Sequence, residues 1–272
     1  MQGVATTDDS ELRNIARRFV TARQAGQALP EYPGTMPHAL EIAYEIQDFA
    51  IAEDGDRVVG WKVGRIGDGD VAHFTVNRLA GPIFARHVVE HRDGPVAMPV
   101  FDGGFAATEA EFLLRIAYDV LPRQLPYTME EVAELVGAVH VGIEIASSPF
   151  PGINTNGPAV TISDFGNNNG LIVGPEIPNW RISGFERWPV VVEIDGHEIG
   201  RATTETMLDG AVGAVRFLLG LLGGRGIAVP RGSWISTGAV TGVHEVRPGQ
   251  KVVARFGECL AVNCLIEAAQ TV

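Results

Sequence analysis

The residues best placed to do chemistry in this chain are two glutamates in the stretch Thr108-Glu109-Ala110-Glu111-Phe112-Leu113-Leu114-Arg115-Ile116. The stretch reads as a strand, and side chains two apart on a strand share a face. Glu109 and Glu111 therefore point the same way, with their backbones about 7 Å apart. Carboxylates held side by side repel, and one takes up a proton unless a cation lies between them. A second apolar run, Val139-His140-Val141-Gly142-Ile143-Glu144-Ile145, carries a third carboxylate, Glu144. Three oxygen ligands from two neighbouring strands suit a hard divalent ion such as Mg²⁺ or Mn²⁺, which keeps positions open for water or substrate. Taken alone, the first two glutamates read more readily as the wet face of a half-exposed strand than as a site.

Lys62 is a fourth candidate. It sits in Val58-Val59-Gly60-Trp61-Lys62-Val63-Gly64, a short strand with one lysine among apolar neighbours. Such a lysine more readily snorkels to the surface than sits in a pocket, but the two flanking glycines weaken the surface reading, because glycine in a strand often marks close backbone approach. Asp164-Phe165-Gly166-Asn167-Asn168-Asn169-Gly170 reads as a polar turn, asparagine being at ease in left-handed conformations. His140 precedes Glu144 by four and shares its face on a regular strand, but a hydrogen-bonded structural histidine is the simpler reading of it. His73 offers no clearer case for a general base.

These groups need a scaffold. Asp8-Asp9-Ser10 caps a helix over Glu11 to Ala25, and Pro37 starts a second that ends at Asp54-Gly55-Asp56. From Arg57 the pattern is mainly β: the Lys62 strand, a turn at Gly67–Asp70, one or two strands between Val88 and Val100, and the two glutamate strands. A short helix from Thr128 to Val136 carries a capping box, Thr128 with Glu131. Beyond the polar turn come a hairpin around Asp195-Gly196, a helix from Thr206 to Leu222, and strands at Trp234–Ser236, Val246–Arg255 and Cys259–Ala268. Strands do not alternate regularly with helices, which argues against a doubly wound sheet.

Composition narrows the partners. With 21 basic and 33 acidic residues the formal net charge is −12, which disfavours nucleic acid. An anionic substrate must then be met by a local charge or a metal. No apolar run reaches membrane length and no secretion signal is evident, so a soluble, cytoplasmic protein without a membrane partner is expected. Cys259 and Cys264 are five apart, on opposite faces of one strand, and read as small buried apolar groups that do not pair.

Several of these stretches match one family in order and spacing: Gly60-Trp61-Lys62-Val63-Gly64, Glu109-Ala110-Glu111, Glu144, Asp164 before its turn, and Thr237-Gly238-Ala239-Val240-Thr241-Gly242. The chain resembles the 2-keto-4-pentenoate hydratase and 4-oxalocrotonate decarboxylase family of the fumarylacetoacetate hydrolase superfamily, over nearly its whole length. The resemblance implies an α+β fold, a mixed β-roll of the fumarylacetoacetate hydrolase C-terminal-domain type. A helical N-terminal segment (1–56) would join a mainly β catalytic domain (57–272) in one compact unit. It implies Mg²⁺ or Mn²⁺ held by Glu109, Glu111 and Glu144, and Lys62 as the catalytic residue, its pKa lowered by burial or its position held by ion pairing. Lys62, Asp164, Asn167, Thr237 and Gly238 would bind a small 2-oxo or 2-hydroxy-dienoic acid, and the chain would form a homo-oligomer.

The first expectation for activity is hydration of a 2-hydroxy-2,4-dienoate to a 4-hydroxy-2-oxo acid. Decarboxylation of a 2-oxo-3-enedioate is the alternative, and a non-catalytic 2-oxo acid binder is a third reading. Departures from the family pattern bear on that choice. Leu79 stands where hydratases commonly carry an Asp, and an aromatic residue common near it in decarboxylases is also missing. The stretches Ala146-Ser147-Ser148-Pro149 and Phe165-Gly166-Asn167-Asn168 differ from the usual ones. The metal shell matches while the substrate shell is rewritten.

Overall fold

The computed structural model describes residues 9–270; Asp8, read as part of the first helix cap, lies outside them. Two helices lead, α1 (Asp9–Gln24) and α2 (Leu40–Asp54). Apolar residues three and four apart give α1 one buried stripe, Leu12, Ile15, Ala16, Phe19 and Val20. Gly55, at φ 74°, closes α2 in the left-handed conformation that glycine tolerates.

Next come β1 (Val58–Arg65), α3 (Asp68–Phe74), β2 (Arg78–Phe84), β3 (Val88–Glu90), β4 (Val96–Val100) and β5 (Phe105–Ile116). The middle of the chain forms α4 (Met129–Leu135), β6 (Val136–Ser148), α5 (Pro158–Ser163), a 3₁₀ turn at Phe165–Asn167, and β7 (Asn168–Glu176). The last part holds α6 (Trp180–Ser183), β8 (Val190–Ile194), β9 (His197–Ala202), α7 (Gly210–Gly224), β10 (Trp234–Ser236), β11 (His244–Glu245), β12 (Lys251–Phe256) and β13 (Leu260–Ala268).

The larger sheet runs β2-β1-β10-β5-β6-β7-β3, with β11 also paired to β5, and the smaller runs β4-β13-β12-β8-β9. Three pairings are parallel, β1 with β10, β3 with β7 and β4 with β13; the rest are antiparallel. This is the mixed α+β architecture expected. The sheets share a core of Phe112 and Leu114 from β5, Val141 and Ile143 from β6, Phe256 from β12 and Val262 from β13, against which α7 buries Ala214 and Leu218. Phe112 meets Phe185 and Phe256 edge-on, an arrangement aromatic quadrupoles favour.

Some local expectations need correction. Gly67–Asp70, read as a turn, opens the short helix α3. The helix expected from Thr206 starts at Gly210, because Thr204 and Thr206 hydroxyls donate to the carbonyls of Glu186 and Thr203 in a 3₁₀ turn. Side chains that bond nearby backbone compete in this way with helix formation. Cys259 is exposed, since β12 ends at Phe256 and leaves it in a connecting turn; Cys264 is buried, and both thiols are free.

The leading helices are tied to the sheets. Leu12, Phe19, Tyr32 and Ile46 share a cluster with Phe84, Phe150 and Phe165. Fully buried Gln47 on α2 donates from Nε2 to Ala80 O (3.1 Å) and Ile162 O (2.9 Å), bridging β2 and α5. Among the described residues, no helix is long and apolar enough to cross a membrane. The turn after α5 presses on β2 so closely that a Cβ on Gly81 would overlap the Phe165 carbonyl. Gly81→Ala should therefore destabilise the protein by about 2 kcal/mol, seen as a lower midpoint in urea unfolding; an unchanged midpoint would contradict this packing.

Candidate metal centre

In the β5–β6 ladder Glu109 stands opposite Glu144, and Glu111 opposite Gly142. The alternation that buries Ala110, Phe112 and Leu114 in the core turns all three carboxylates to the other face. One oxygen from each lies within 4.8 Å of the others. None of the three is a wet surface group: Glu109 is 5% exposed, Glu111 and Glu144 0%.

The strand order supplies the rest of that face. Ser236 on β10 pairs with Leu113 on one side and with Lys62 of β1 on the other. Partners across a ladder share a face, so Ser236 and Lys62 join Glu111. Lys62 is buried at 3% exposure. Its Nζ lies 3.6 Å from Glu144 Oε1 and donates to Asn167 Oδ1 at 3.3 Å. Burial by itself pulls its pKa down, but Glu144, Glu109 and Glu111 outweigh burial and raise it. Of the two expectations for Lys62, the burial-lowered one is reversed and the ion-paired position is the one found, which keeps Lys62 an ammonium.

The pKa values of Glu111 and Glu144 are raised as well, which for a carboxylate favours the neutral form. Burial, then repulsion from Glu144 and Glu109, hold Glu111 well above the usual carboxylate range, although Ser236 Oγ and the Gly238 N–H (2.9 Å) both donate to its Oε2. Burial pushes Glu144 up to about 7 against the pull of Lys62, while Asn168 Nδ2 donates to its Oε1 at 2.8 Å. That leaves Glu111 Oε1 and Glu144 Oε2 buried without a donor. A buried acceptor left unpaired costs about 1–3 kcal/mol. Once the protons that Glu111 and Glu144 retain are displaced, three carboxylates facing one ammonium carry two negative charges in excess. Orphaned oxygens, hard donors and a deficit matching a dication all fit a divalent ion.

A cavity of about 780 Å³ opens beside the cluster. Lys62, Glu109 and Asn167 line it, with Leu79, Thr237 and Gly238 in its walls. The two wall residues of the Thr-Gly turn have committed donors: the Thr237 hydroxyl bonds Phe112 O at 2.8 Å, and the Gly238 N–H holds Glu111. Asn167 faces both ways, accepting from Lys62 and donating to Asn154 Oδ1 at 2.9 Å. Asp164 is fully buried away from the cavity lining, bonded by Arg23 and by Ser148 Oγ at 2.6 Å. His140 bonds Gly174 O through Nδ1 at 2.9 Å and meets Trp234 edge-on, as a structural histidine does. His73 lies exposed on α3.

Three participants escaped the sequence reading. Ser236 needs the β1–β10–β5 register to be placed; Asn168 lay in a stretch whose residues looked like turn formers. Arg23 sits on a helix read as packing alone, and nothing in its neighbourhood marks it.

No protein-family model matches the chain. It is 23% identical over 246 residues, 86% of each chain, to the 4-oxalocrotonate decarboxylase of Pseudomonas sp. (strain CF600). Its fold is similar to that of 4-oxalocrotonate decarboxylase from Pseudomonas putida G7. The complex of that enzyme with magnesium and adipate superposes with a TM-score of 0.81 at 18% identity, covering 96% of this chain and 99% of that one. The complex with calcium and acetate gives 0.79 at the same identity and coverage. The 5-carboxymethyl-2-hydroxymuconate delta-isomerase of Mycobacterium smegmatis is more distant, at 0.56 and 14% identity over 78% of this chain and 80% of that one. The ordered motifs and the three-carboxylate face are thus found in a chain whose sequence is similar to one 4-oxalocrotonate decarboxylase and whose fold is similar to another.

Proposed function

We propose that this protein is a divalent-metal-dependent lyase of 2-oxo acids, and that its reaction is the decarboxylation of a 2-oxo-3-enedioate. Glu109, Glu111 and Glu144 would hold the ion, Mg²⁺ or Mn²⁺. The chemistry supplied there is Lewis-acid stabilisation of negative charge on a 2-oxo oxygen. The observation that carries the choice of reaction is Leu79. Its Cδ1 and Lys62 Nζ lie 3.3 and 3.4 Å from the point where a Cβ on Gly64 would stand, so the wall beside Lys62 is apolar. A hydratase would keep an Asp at that place to handle the incoming water. Names of relatives point the same way, as does adipate, a six-carbon diacid, in the magnesium-bound structure.

Each residue then has a task. The C1 carboxylate and C2 oxygen of the substrate sit at the carboxylate cluster. Leu79 keeps water from the far carboxylate, whose charge is disfavoured beside an apolar surface. The bond from C5 to that carboxylate breaks, CO₂ leaves, and the electron pair runs through the conjugated system to the C2 oxygen. Lys62, charged and steered by Asn167 and Glu144, hands a proton to the resulting dienolate. Hydration of a 2-hydroxy-2,4-dienoate is the second reading; it uses the same head-group site and Lys62, and the cavity has room for a water. Assembly as a homo-oligomer is also proposed, supported by Tyr118, Leu121 and Leu125, which lie 64, 73 and 75% exposed on one connection.

Incubated with Mg²⁺ and 2-oxohex-3-enedioate, the protein should release CO₂, followed by coupled assay or by the accumulating dienol absorbance. Consumption of 2-hydroxypenta-2,4-dienoate to a 4-hydroxy-2-oxo acid, without CO₂ release from the diacid, would move the assignment to hydratase. Metal binding with neither turnover would leave the non-catalytic binder.

Lys62→Met should cut kcat by at least about 10²-fold, the scale of a lost proton donor, while Mn²⁺ still binds. Turnover within a few-fold of wild type would remove Lys62 from the reaction.

Because burial raises the folded pKa of Glu144 to about 7, the metal-free protein should lose stability as pH rises through 7. Bound ions displace those protons, so Mn²⁺ affinity should tighten from pH 6 to 7 by about tenfold for each proton released. Titration calorimetry in buffers of different ionisation enthalpy measures both. A pH-independent affinity, or Glu111→Gln binding Mn²⁺ like wild type, would count against the site.

A further inference from the structure

Arg23 is 141 residues from Asp164 in sequence and touches neither the cavity nor the carboxylate cluster, yet it makes more polar contacts around the site than Lys62 does. From α1 its Nε and Nη2 reach Asp164 Oδ1 and Oδ2 at 2.6 and 2.9 Å, a two-pronged pair between side chains 8 and 0% exposed. Nη1 donates to Asn168 O and Asn169 Oδ1, both at 3.1 Å, and Nη2 to Ser147 O at 3.1 Å. The rings of Phe165 and Phe101 flank the guanidinium at 5.1 and 5.5 Å. Ser148 Oγ fixes the other side of Asp164 Oδ2.

What Arg23 grips is a turn whose own backbone bonds, Asn167 N–H to Asp164 O at 2.8 Å and Asn168 N–H to Phe165 O, close an unfavourable backbone conformation. Phe165, Gly166 and Asn167 have φ of 57, 60 and 60°, three left-handed residues in succession. For residues with a Cβ that region costs about 1–2 kcal/mol each, and such strain persists only where surrounding contacts over-determine it. This turn presents the two asparagines that matter at the centre, Asn167 to Lys62 Nζ and Asn168 to Glu144 Oε1. Ser147, also bonded by Arg23, follows Glu144 by three on the same strand. Arg23 therefore clamps the end of β6 to the start of β7, around the residues that aim Glu144 and Lys62.

We propose that Arg23 is a positioning residue of the metal centre: its guanidinium fork locks the left-handed turn, and through Asn167 and Asn168 sets the places of Lys62 and Glu144. A planar fork with five donors can meet Asp164 and three further oxygens together; an ammonium cannot. The inference rests on Glu144 being a metal ligand, and not on which reaction follows.

The test uses Arg23→Lys, which keeps a charge opposite Asp164 and avoids leaving that buried carboxylate unpaired. Phe19→Leu, in the same helix and in the cluster that also holds Phe165, serves as a comparator that loosens the packing beneath the turn while leaving the Arg23 fork in place. Mn²⁺ affinity is read by electron paramagnetic resonance, thermal midpoints by calorimetry, and kcat and KM on the diacid. Arg23→Lys should weaken Mn²⁺ binding at least about tenfold, as outer-shell changes do, and lower kcat more than it raises KM. Phe19→Leu, at a similar or larger loss of midpoint, should keep Mn²⁺ affinity within about twofold of wild type. Wild-type affinity in Arg23→Lys, or an equal loss in Phe19→Leu, would overturn the positioning role alone. A wild-type chain that takes up no Mn²⁺ would sink the metal reading and this inference with it.

Discussion

The constraint on which the site depends is an excess of buried negative charge. Glu109, Glu111 and Glu144 face one ammonium, Lys62, all four buried beside the cavity. Charges so placed do not coexist at neutral pH without a cation or a shared proton. The protein does not relieve the strain with more basic residues. It spends hydroxyl, amide and backbone donors on one oxygen each of Glu111 and Glu144, and leaves the other oxygen of each bare. An interior built only for stability would have paired those oxygens. The arrangement makes sense as a seat for a hard dication, with Lys62 kept charged by the same field.

Fixing that seat explains much of the architecture. Carboxylates two apart on β5 and one on β6 converge only if the ladder registers Glu109 against Glu144. The register in turn is pinned by the core face, where a slip of one residue would drive Phe112 and Leu114 into the site and the glutamates into the core. β10 and β1 add Ser236 and Lys62 by the same logic. The α5–β7 turn covers the face from above, and the leading helices hold the turn.

How much of this was legible in the sequence follows from range. Glu109 and Glu111 declare themselves by a period of two, and Lys62 by its isolation between glycines in an apolar strand. The capping box of Thr128 and Glu131 forms as read. Glu144 is legible as a carboxylate in an apolar run, but its partnership with β5 depends on pairing that local pattern does not encode. Asp164 shows the limit more sharply. Its place in the motif suggested contact with substrate, whereas its carboxylate is occupied by Arg23 and Ser148. Arg23 itself looks like any basic residue near the end of an amphipathic helix. Its destination is set by how α1 docks, a tertiary fact with no local signature.

On the proposed function, head group and tail of the substrate would answer to different parts of the molecule. The carboxylate cluster and Lys62 can serve as an electron sink and proton source for hydration or decarboxylation alike, because both reactions pass charge through the C2 oxygen. The wall must make the distinction. An Asp beside Lys62 would stabilise a water and a developing proton; Leu79 stabilises neither, and it withholds solvation from a carboxylate about to become neutral CO₂. Decarboxylation loses a charge in the part of the substrate that meets the wall, so an apolar wall lowers its barrier, whereas hydration must bring a polar nucleophile to that same surface. On the proposed reading, one side chain, Leu79, set on β2 opposite Gly64, is the place where two chemistries that the centre itself leaves open would be told apart.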